Sequence, residues 1–428
     1  MALDDGANKS FRRLLLASSL GSIIENYDFF LYAFTAPIVF DAVFFPKLDP
    51  TAGLVAVYAT FAIGFVARPV GGVVFGHYAD RIGRKAVLTL TLLIMGGASV
   101  LIGCVPSYAT IGIAAPLLLV VLRFLQGFAF GGEYMNAVTL NLESAPASQR
   151  GFFASWVNAS GPAGIILAVG LVSLLTFGFG TAQFQNGLWR VPFLLSVVLA
   201  GLGTYVRVQL DETTLFKTVR TENRIISVPL LTVVREWKRS TVLAIAVNMV
   251  HSSFYYLVTV FVLGYLVKEH GVSQIGVTTG TTIANVMEIA TVPLIAACSD
   301  RWGRRPFIIA GIVLAALWFP LYFHLIEQKN IVLLLIALVV SGGVVHALIF
   351  APEAAFTAEL FPTEVRVSGA SLGKQLGIIF GGGVAPLIAT TLISRTGSFV
   401  TIIAYFEAIA LFAFVGMLLA PESFKRTL

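Results

Sequence analysis

Twelve apolar stretches, each near the roughly 20 residues that cross a hydrocarbon core as a helix, constrain this 428-residue chain more than any motif does. They lie near residues 14–40, 52–76, 87–104, 112–134, 152–176, 190–208, 242–267, 278–298, 306–325, 330–352, 368–391 and 398–420. A backbone in lipid must satisfy its own hydrogen bonds, so runs of this length fold as helices. Charged residues make up 12% of the chain, against about 25% in soluble domains, which excludes an ordinary soluble enzyme. The net charge of +6 reads as topology rather than as a nucleic-acid footprint. With both termini inside, the inner segments hold 20 of the 28 Lys and Arg. The outer loops hold five (Lys47, Arg190, Lys268, Lys329, Arg395), and Arg68, Arg123 and Lys374 lie within the membrane. Positive loops stay cytoplasmic, so both termini are expected there, in an integral protein without a cleavable leader. Cys104 and Cys298 fall near opposite faces and imply no disulfide framework.

The chain also repeats itself. The segment Gly76, His77, Tyr78, Ala79, Asp80, Arg81, Ile82, Gly83, Arg84, Lys85 returns as Ala296, Ala297, Cys298, Ser299, Asp300, Arg301, Trp302, Gly303, Arg304, Arg305, and Asp80 and Asp300 are 220 residues apart. Glu143 and Arg150 recur as Glu359 and Arg366, each offset by 216. Repeats in the same orientation mean two halves related by an axis along the membrane normal. The expected fold is an all-α membrane protein of twelve transmembrane helices in two pseudo-symmetric six-helix bundles, an alternating-access carrier. The bundles are 1–209 and 241–428, joined by a charged cytoplasmic linker at 210–240. In each repeated loop a glycine makes a tight turn. The acid can then face a helix N-terminus while the guanidinium reaches a carboxylate or a helix carbonyl end. Gly76, Asp80, Gly83 and Arg84, with Asp300, Gly303 and Arg304, are therefore expected to latch one conformation.

Charges at bilayer depth cost about 2.5–3.5 kcal/mol each on insertion scales and mark functional positions. Glu25, Asn26, Tyr27 and Asp28 sit together inside the first apolar stretch. Glu25 is either an ion-pair strut or a proton carrier. A carboxylate beside a guanidinium changes its proton affinity when the pair opens, which makes Asp28 and Arg123 the expected coupling pair. Glu133, about 15 Å further along the fourth helix, is a second proton site or a network strut. Glu353 and Lys374, both roughly 10 Å deep, either neutralise each other or leave Lys374 to take a substrate carboxylate. Arg68 is expected to buttress packing rather than to meet an anion, and His251 and His346 read more readily as packing residues than as cavity lining. The candidates for substrate contact are Asn26, Tyr27, Arg123, Gln126, Asn136, Trp156, Asn248, Tyr255, Tyr256, Lys374 and Gln375. Arg68, Arg123 and Lys374 favour an anionic cargo, while Glu25, Asp28, Glu133, Glu288 and Glu353 keep a zwitterion open. No His and Cys cluster suggests a metal, and no nucleophile and base suggest hydrolysis. The run GASLGKQ at 369–375 has the wrong spacing for a phosphate loop. No cofactor is expected, only a proton gradient as drive.

The repeated loops resemble the signature GxLxDRxGRKxxL of the major facilitator superfamily, through Gly76, Asp80, Arg81, Gly83, Arg84 and Lys85 and, in part, Asp300, Arg301, Gly303 and Arg304. Within it the chain is similar to the metabolite:proton symporter family. Glu25 to Tyr32 resembles IEWYDFFLY, Gly64 to Gly76 GFxARPxGGxxFG, Arg123 to Glu133 RxxQGxxxGGE, and Glu359 to Gly369 ExFPTxxRxxG. The resemblance implies a monomeric proton-driven importer in a bacterial cytoplasmic membrane. It also implies that the helix 1 acid faces the RxxQG arginine. Relatives of this kind carry dicarboxylates, shikimate-like acids or proline and betaine, so a carboxylate-bearing organic acid is the first expectation. A zwitterionic osmolyte, or export of cationic compounds, is the alternative. Departures from the pattern are Asn26 for Trp, Ala296 for Gly, Asn136 for a small residue, Thr214 for Pro and Lys374 for an aromatic. Together with Glu353 they are where specificity is expected.

Overall fold

The computed structural model describes residues 5–48, 50–262, 265, 274–328 and 330–424. Lys268, Lys329, Lys425 and Arg426, counted in the charge asymmetry, lie outside them. Among the described residues twelve helices are long and apolar enough to cross a membrane: α1 (Ser18–Phe44), α2 (Ala59–Ile82), α3 (Arg84–Cys104), α4 (Ala114–Ser144), α5 (Arg150–Phe179), α6 (Arg190–Val208), α7 (Lys238–Phe261), α8 (Thr279–Trp302), α9 (Arg304–Glu327), α10 (Ile331–Glu359), α11 (Arg366–Thr396) and α12 (Phe399–Leu419). No strand occurs among the described residues. Among the boundaries that differ from the sequence reading, those of α4 and α10 continue past 134 and 352 to Ser144 and Glu359. Asn136, Asn141, Glu143, Glu353 and Glu359 in these extensions are buried. Hydropathy falls there because the bundle interior is polar, not because the helix has ended.

Each half builds its own aromatic core. Tyr32, Phe40, Phe44, Trp189 and Phe193 cluster in the first, and Phe254, Phe319, Tyr322, Phe323 and Phe406 in the second. Within the first half, Gly71, Gly127 and Gly131 let α2 and α4 touch backbone to backbone. Lipid supplies no hydrophobic drive between helices, so such close packing carries the association. Across the interface α2 packs on α11 and α5 on α8. Between α6 and α7 the chain forms two short helices, Thr214–Thr221 and Pro229–Glu236. Thr213 caps the first by accepting from the Phe216 N–H at 3.2 Å, and Phe216, Val219 and Val233 are buried against the bundles.

The halves differ in one respect that no hydropathy pattern shows. Three membrane helices of the second half contain a π-helical turn, Leu257–Phe261 in α7, Ser341–His346 in α10 and Ile379–Gly383 in α11. Among the described residues the first half has a single π turn, Phe184–Leu188, which precedes α6. The wider turn inserts a residue, rotates the helix face beyond it, and recurs in proteins at functional sites.

Candidate functional site

The repeated loops meet at the face that carries the linker. Gly83 and Gly303 have φ of 112° and 103°, a region open to glycine, and a Cβ there would strike the carboxylates of Glu212 and Glu422. Just before each turn, the acid at the end of the helix reaches into the opposite half. Asp80 accepts from the backbone N–H of Val367 and Ser368 at 3.2 and 2.8 Å, and Asp300 from those of Gly151 and Phe152, both at 2.8 Å. These are the starts of α11 and α5, where unpaired N–H groups and the helix dipole attract an anion. Arg84 pairs with Asp80 and Glu143, both at 3.3 Å, and Arg304 with Asp300 at 2.7 Å and Glu359 at 3.3 Å. Arg84 also donates to Thr363 O at 2.7 Å, and Arg366 crosses to Glu143 at 2.6 Å. Gly76 lies against the backbone of Val367 and Ser368. The two halves are clamped at this face.

Two parts of the clamp escaped the sequence reading. Glu212 accepts from Lys85 N–H at 3.1 Å and Thr213 donates to Glu143 at 2.7 Å. In the second half Glu422 accepts from Arg304 and Arg305 N–H at 2.9 and 3.2 Å, and Ser423 donates to Glu359 at 2.5 Å. The signal was present as Glu-Thr and Glu-Ser pairs 210 residues apart, too short to register alone. Asn136, expected to touch substrate, belongs to this region instead, since its amide donates to Arg84 O at 3.0 Å.

Inside the first half, the expected pairing of Asp28 with Arg123 is not made. Asp28 accepts from Ser196 Oγ at 2.5 Å. Arg123 donates to Phe29 O and Gln126 Oε1 at 3.2 and 3.0 Å, and its guanidinium lies 3.9 Å from the Phe29 ring centre. On the Arg123 side Gln126 donates to Ser99 Oγ at 2.7 Å, while the second carboxylate oxygen of Asp28 has no hydrogen-bond partner among the described residues. The pair fails because successive helical side chains point about 100° apart, so Asp28 turns toward α6 while Phe29 meets Arg123. Glu25 and Glu133 are joined through Arg207, which pairs with them at 2.9 and 3.0 Å. Ser22 also donates to Glu133 at 2.8 Å. Arg207, one of the 20 Lys and Arg that the sequence reading gives to the inner segments, is buried. Its position at the end of α6 lets the side chain run back into the bundle.

Between the halves lies a cavity of about 160 Å³. Asn26, Tyr255, Tyr256, Lys374 and Gln375 line it as the sequence suggested, and so do Arg68, Tyr134, Asn158, His251, Glu288 and His346. Tyr27, Arg123, Gln126, Trp156 and Asn248 do not. The Tyr27 hydroxyl donates to Pro192 O at 2.9 Å, Asn248 donates to Ala244 O and Thr357, and Trp156 packs on Phe152. At the cavity wall the halves are bonded by Asn158 to Phe350 O at 2.6 Å and Gln375 to Gly131 O at 3.1 Å. Lys374 pairs with Glu353 at 3.0 Å. Arg68 makes no ion pair among the described residues and stacks on Phe29, Phe65 and Phe130 at 3.9–4.2 Å. Its Nε and Nη2 have no hydrogen-bond partner there. It is therefore a wall residue with donor capacity to spare, and not only the buttress expected.

Twelve helices in two clamped bundles around a central cavity define a membrane transporter. Residues 14–224 match the family described as sugar (and other) transporter, and residues 243–427 the Major Facilitator Superfamily. The inner membrane metabolite transport protein YhjE of Escherichia coli (strain K12) is 37% identical over 98% of this chain and 96% of its own length. The shikimate transporter of the same organism is 35% identical, covering 96% and 95%, and its proline/betaine transporter 31%, covering 100% and 86%. The proton:xylose symporter XylE bound to 6-bromo-6-deoxy-D-glucose shares the fold, with a TM-score of 0.80 over 97% of both chains at 18% identity. The chain belongs to the major facilitator superfamily, alongside its metabolite transporters, and is not an enzyme.

Proposed function

We propose that this protein is a proton-coupled symporter that imports a small carboxylate-bearing organic acid across a bacterial inner membrane. The linker face is then cytoplasmic, and residues 1–209 and 241–428 rock as monomeric bundles about the 210–240 linker. The observation that carries the reading is Arg68, a buried guanidinium on the cavity wall with unpaired donors and no acid beside it. A buried cation of this kind is compensated when an anion arrives, and the planar fork suits a carboxylate. A cationic cargo would meet repulsion from it. Lys374 is already neutralised by Glu353 and contributes less. Proton coupling is assigned to Asp28, a buried carboxylate that accepts from Ser196 and keeps one oxygen without a partner among the described residues, with Glu25, Glu133 and Arg207 as a second buried acid group. No cofactor or metal takes part.

A zwitterionic osmolyte is the second reading, favoured by Glu288 in the same cavity. Thermal-shift measurements on the purified protein over carboxylates, betaines, amino acids and organic cations decide between them, because a ligand that binds the folded state raises its stability. Stabilisation by carboxylates that is lost in Arg68→Gln is the expected result. Stabilisation by cations alone would overturn the proposal.

A further inference from the structure

The wall of the cavity in the second half is built as an acceptor surface. His346 lies on α10 in the π turn Ser341–His346, whose first hydroxyl receives the indole N–H of Trp318 at 2.8 Å. His346 Nδ1 faces Glu288 Oε1 of α8 at 2.5 Å. An ionised carboxylate only accepts, so in the neutral imidazole the hydrogen is assigned to Nδ1 and Nε2 keeps its lone pair. That Nε2 is buried with no partner among the described residues, as is Nδ1 of the neighbouring His251. Both residues are more than nine-tenths buried, His346 at 2% and His251 at 8% exposure, as is Glu288 at 2%. The rings are held rigidly, with His251 stacked on His346 at 4.8 Å and on Phe350 at 4.7 Å, and Tyr255 against His346 at 5.0 Å. A buried acceptor without a donor is costly. Here it points to a ligand group that brings an O–H.

The remaining wall argues against a quaternary ammonium at this end. Such a group is held by open aromatic faces, but three of the cavity rings already face resident partners. Phe130 faces Arg68 at 4.2 Å, Tyr134 faces Lys374 at 4.5 Å, and Phe350 carries both Lys374 and His251. The neutral polar groups Asn26, Asn158, Tyr255, Tyr256 and Gln375 suit several hydroxyls better than a single cation. We propose that His346 and Glu288 form a hydroxyl subsite facing the carboxylate subsite at Arg68, so that the cargo class is a hydroxylated carboxylic acid. This rests on the carboxylate reading given above and narrows it.

The test is equilibrium binding to the full-length protein in nanodiscs, using acids matched with and without their hydroxyls: shikimate against cyclohexenecarboxylate, lactate against propionate, and malate against succinate. In at least one pair the hydroxylated acid binds about tenfold tighter or better, since a site built to hydrogen-bond a hydroxyl rejects the analogue lacking it. His346→Phe keeps the stacking plane and removes the acceptor. It brings the two acids of that pair to within about twofold of one another, as expected when one hydrogen bond is lost. Glu288→Gln, which alters the group that orients the imidazole, reduces the same preference and serves if His346→Phe is not monodisperse. Equal affinity within every pair, persistence of the preference in the variants, or parallel loss of both acids would overturn the subsite while leaving the carboxylate reading standing. Tighter binding of proline or betaine than of any acid, or no acid binding at all, would remove the carboxylate reading and the subsite with it.

Discussion

The two halves match at the linker face and diverge in their interiors. Asp80 and Asp300 each cap a helix of the opposite bundle, and Glu212 and Glu422 each close a glycine turn. Deeper in, the first half sets Arg68 on the cavity wall but keeps its acids away from it, with Glu25 and Glu133 sealed around Arg207 and Asp28 turned toward Ser196. The second half sets Glu288, His346, His251 and Lys374 on the cavity wall beside its π turns. A gate that must close between two bundles benefits from symmetric contacts, because each then biases the same equilibrium. Proton handling and cargo reading have no such need. In the proposed mechanism the first half carries protons and the anion clamp, and the second reads the rest of the cargo.

The largest effect should come from breaking the sealed group of the first half. Arg207→Leu leaves two buried carboxylates without their cation, at a cost of about 3–5 kcal/mol, seen as loss of monodisperse protein or a large drop in thermal midpoint. Adding Glu25→Gln and Glu133→Gln should restore most of it. If Arg207→Leu alone is tolerated, the division between sealed and open interiors fails. Next, Asp28→Asn should abolish proton-driven accumulation in proteoliposomes while sparing substrate exchange. Uphill uptake at the wild-type level would remove Asp28 from coupling.

Within the cavity, Arg68→Gln should weaken carboxylate binding by about 10- to 100-fold, the worth of a hydrogen bond to a charged group. Lys374→Ala should also weaken it, but Lys374→Ala with Glu353→Ala should recover most of that loss, because removing both charges strands neither. A persistent loss in the double variant would make Lys374 a direct contact. The smallest effects should be at the gate. Asp80→Ala and Asp300→Ala each lose a helix cap worth about 0.5–2 kcal/mol, and should shift inter-bundle distances in spin-label measurements by similar amounts without changing which ligands bind. Unequal shifts would show that the clamp is symmetric in geometry alone.

Twelve spans, the duplicated loops and the polar groups at membrane depth were all legible in the residues, because bilayer thickness and the cost of buried charge act locally along a chain. Hydropathy and spacing also carried the latch residues, since Asp80, Gly83 and Arg84 lie within a single turn of one another. Partner choice was not local. Whether Asp28 meets Arg123 or Ser196, and whether Arg207 solvates in a loop or runs back to Glu25 and Glu133, depends on how each helix is rotated about its axis. That rotation is set by packing against helices far away in the chain. The π turns that aim His346 at the cavity leave no trace in hydropathy, and Arg68 could be recognised as unpaired only once every neighbouring helix was in place. The sequence by itself determined which groups had to be buried, and the tertiary structure decided which of them were left facing the cavity.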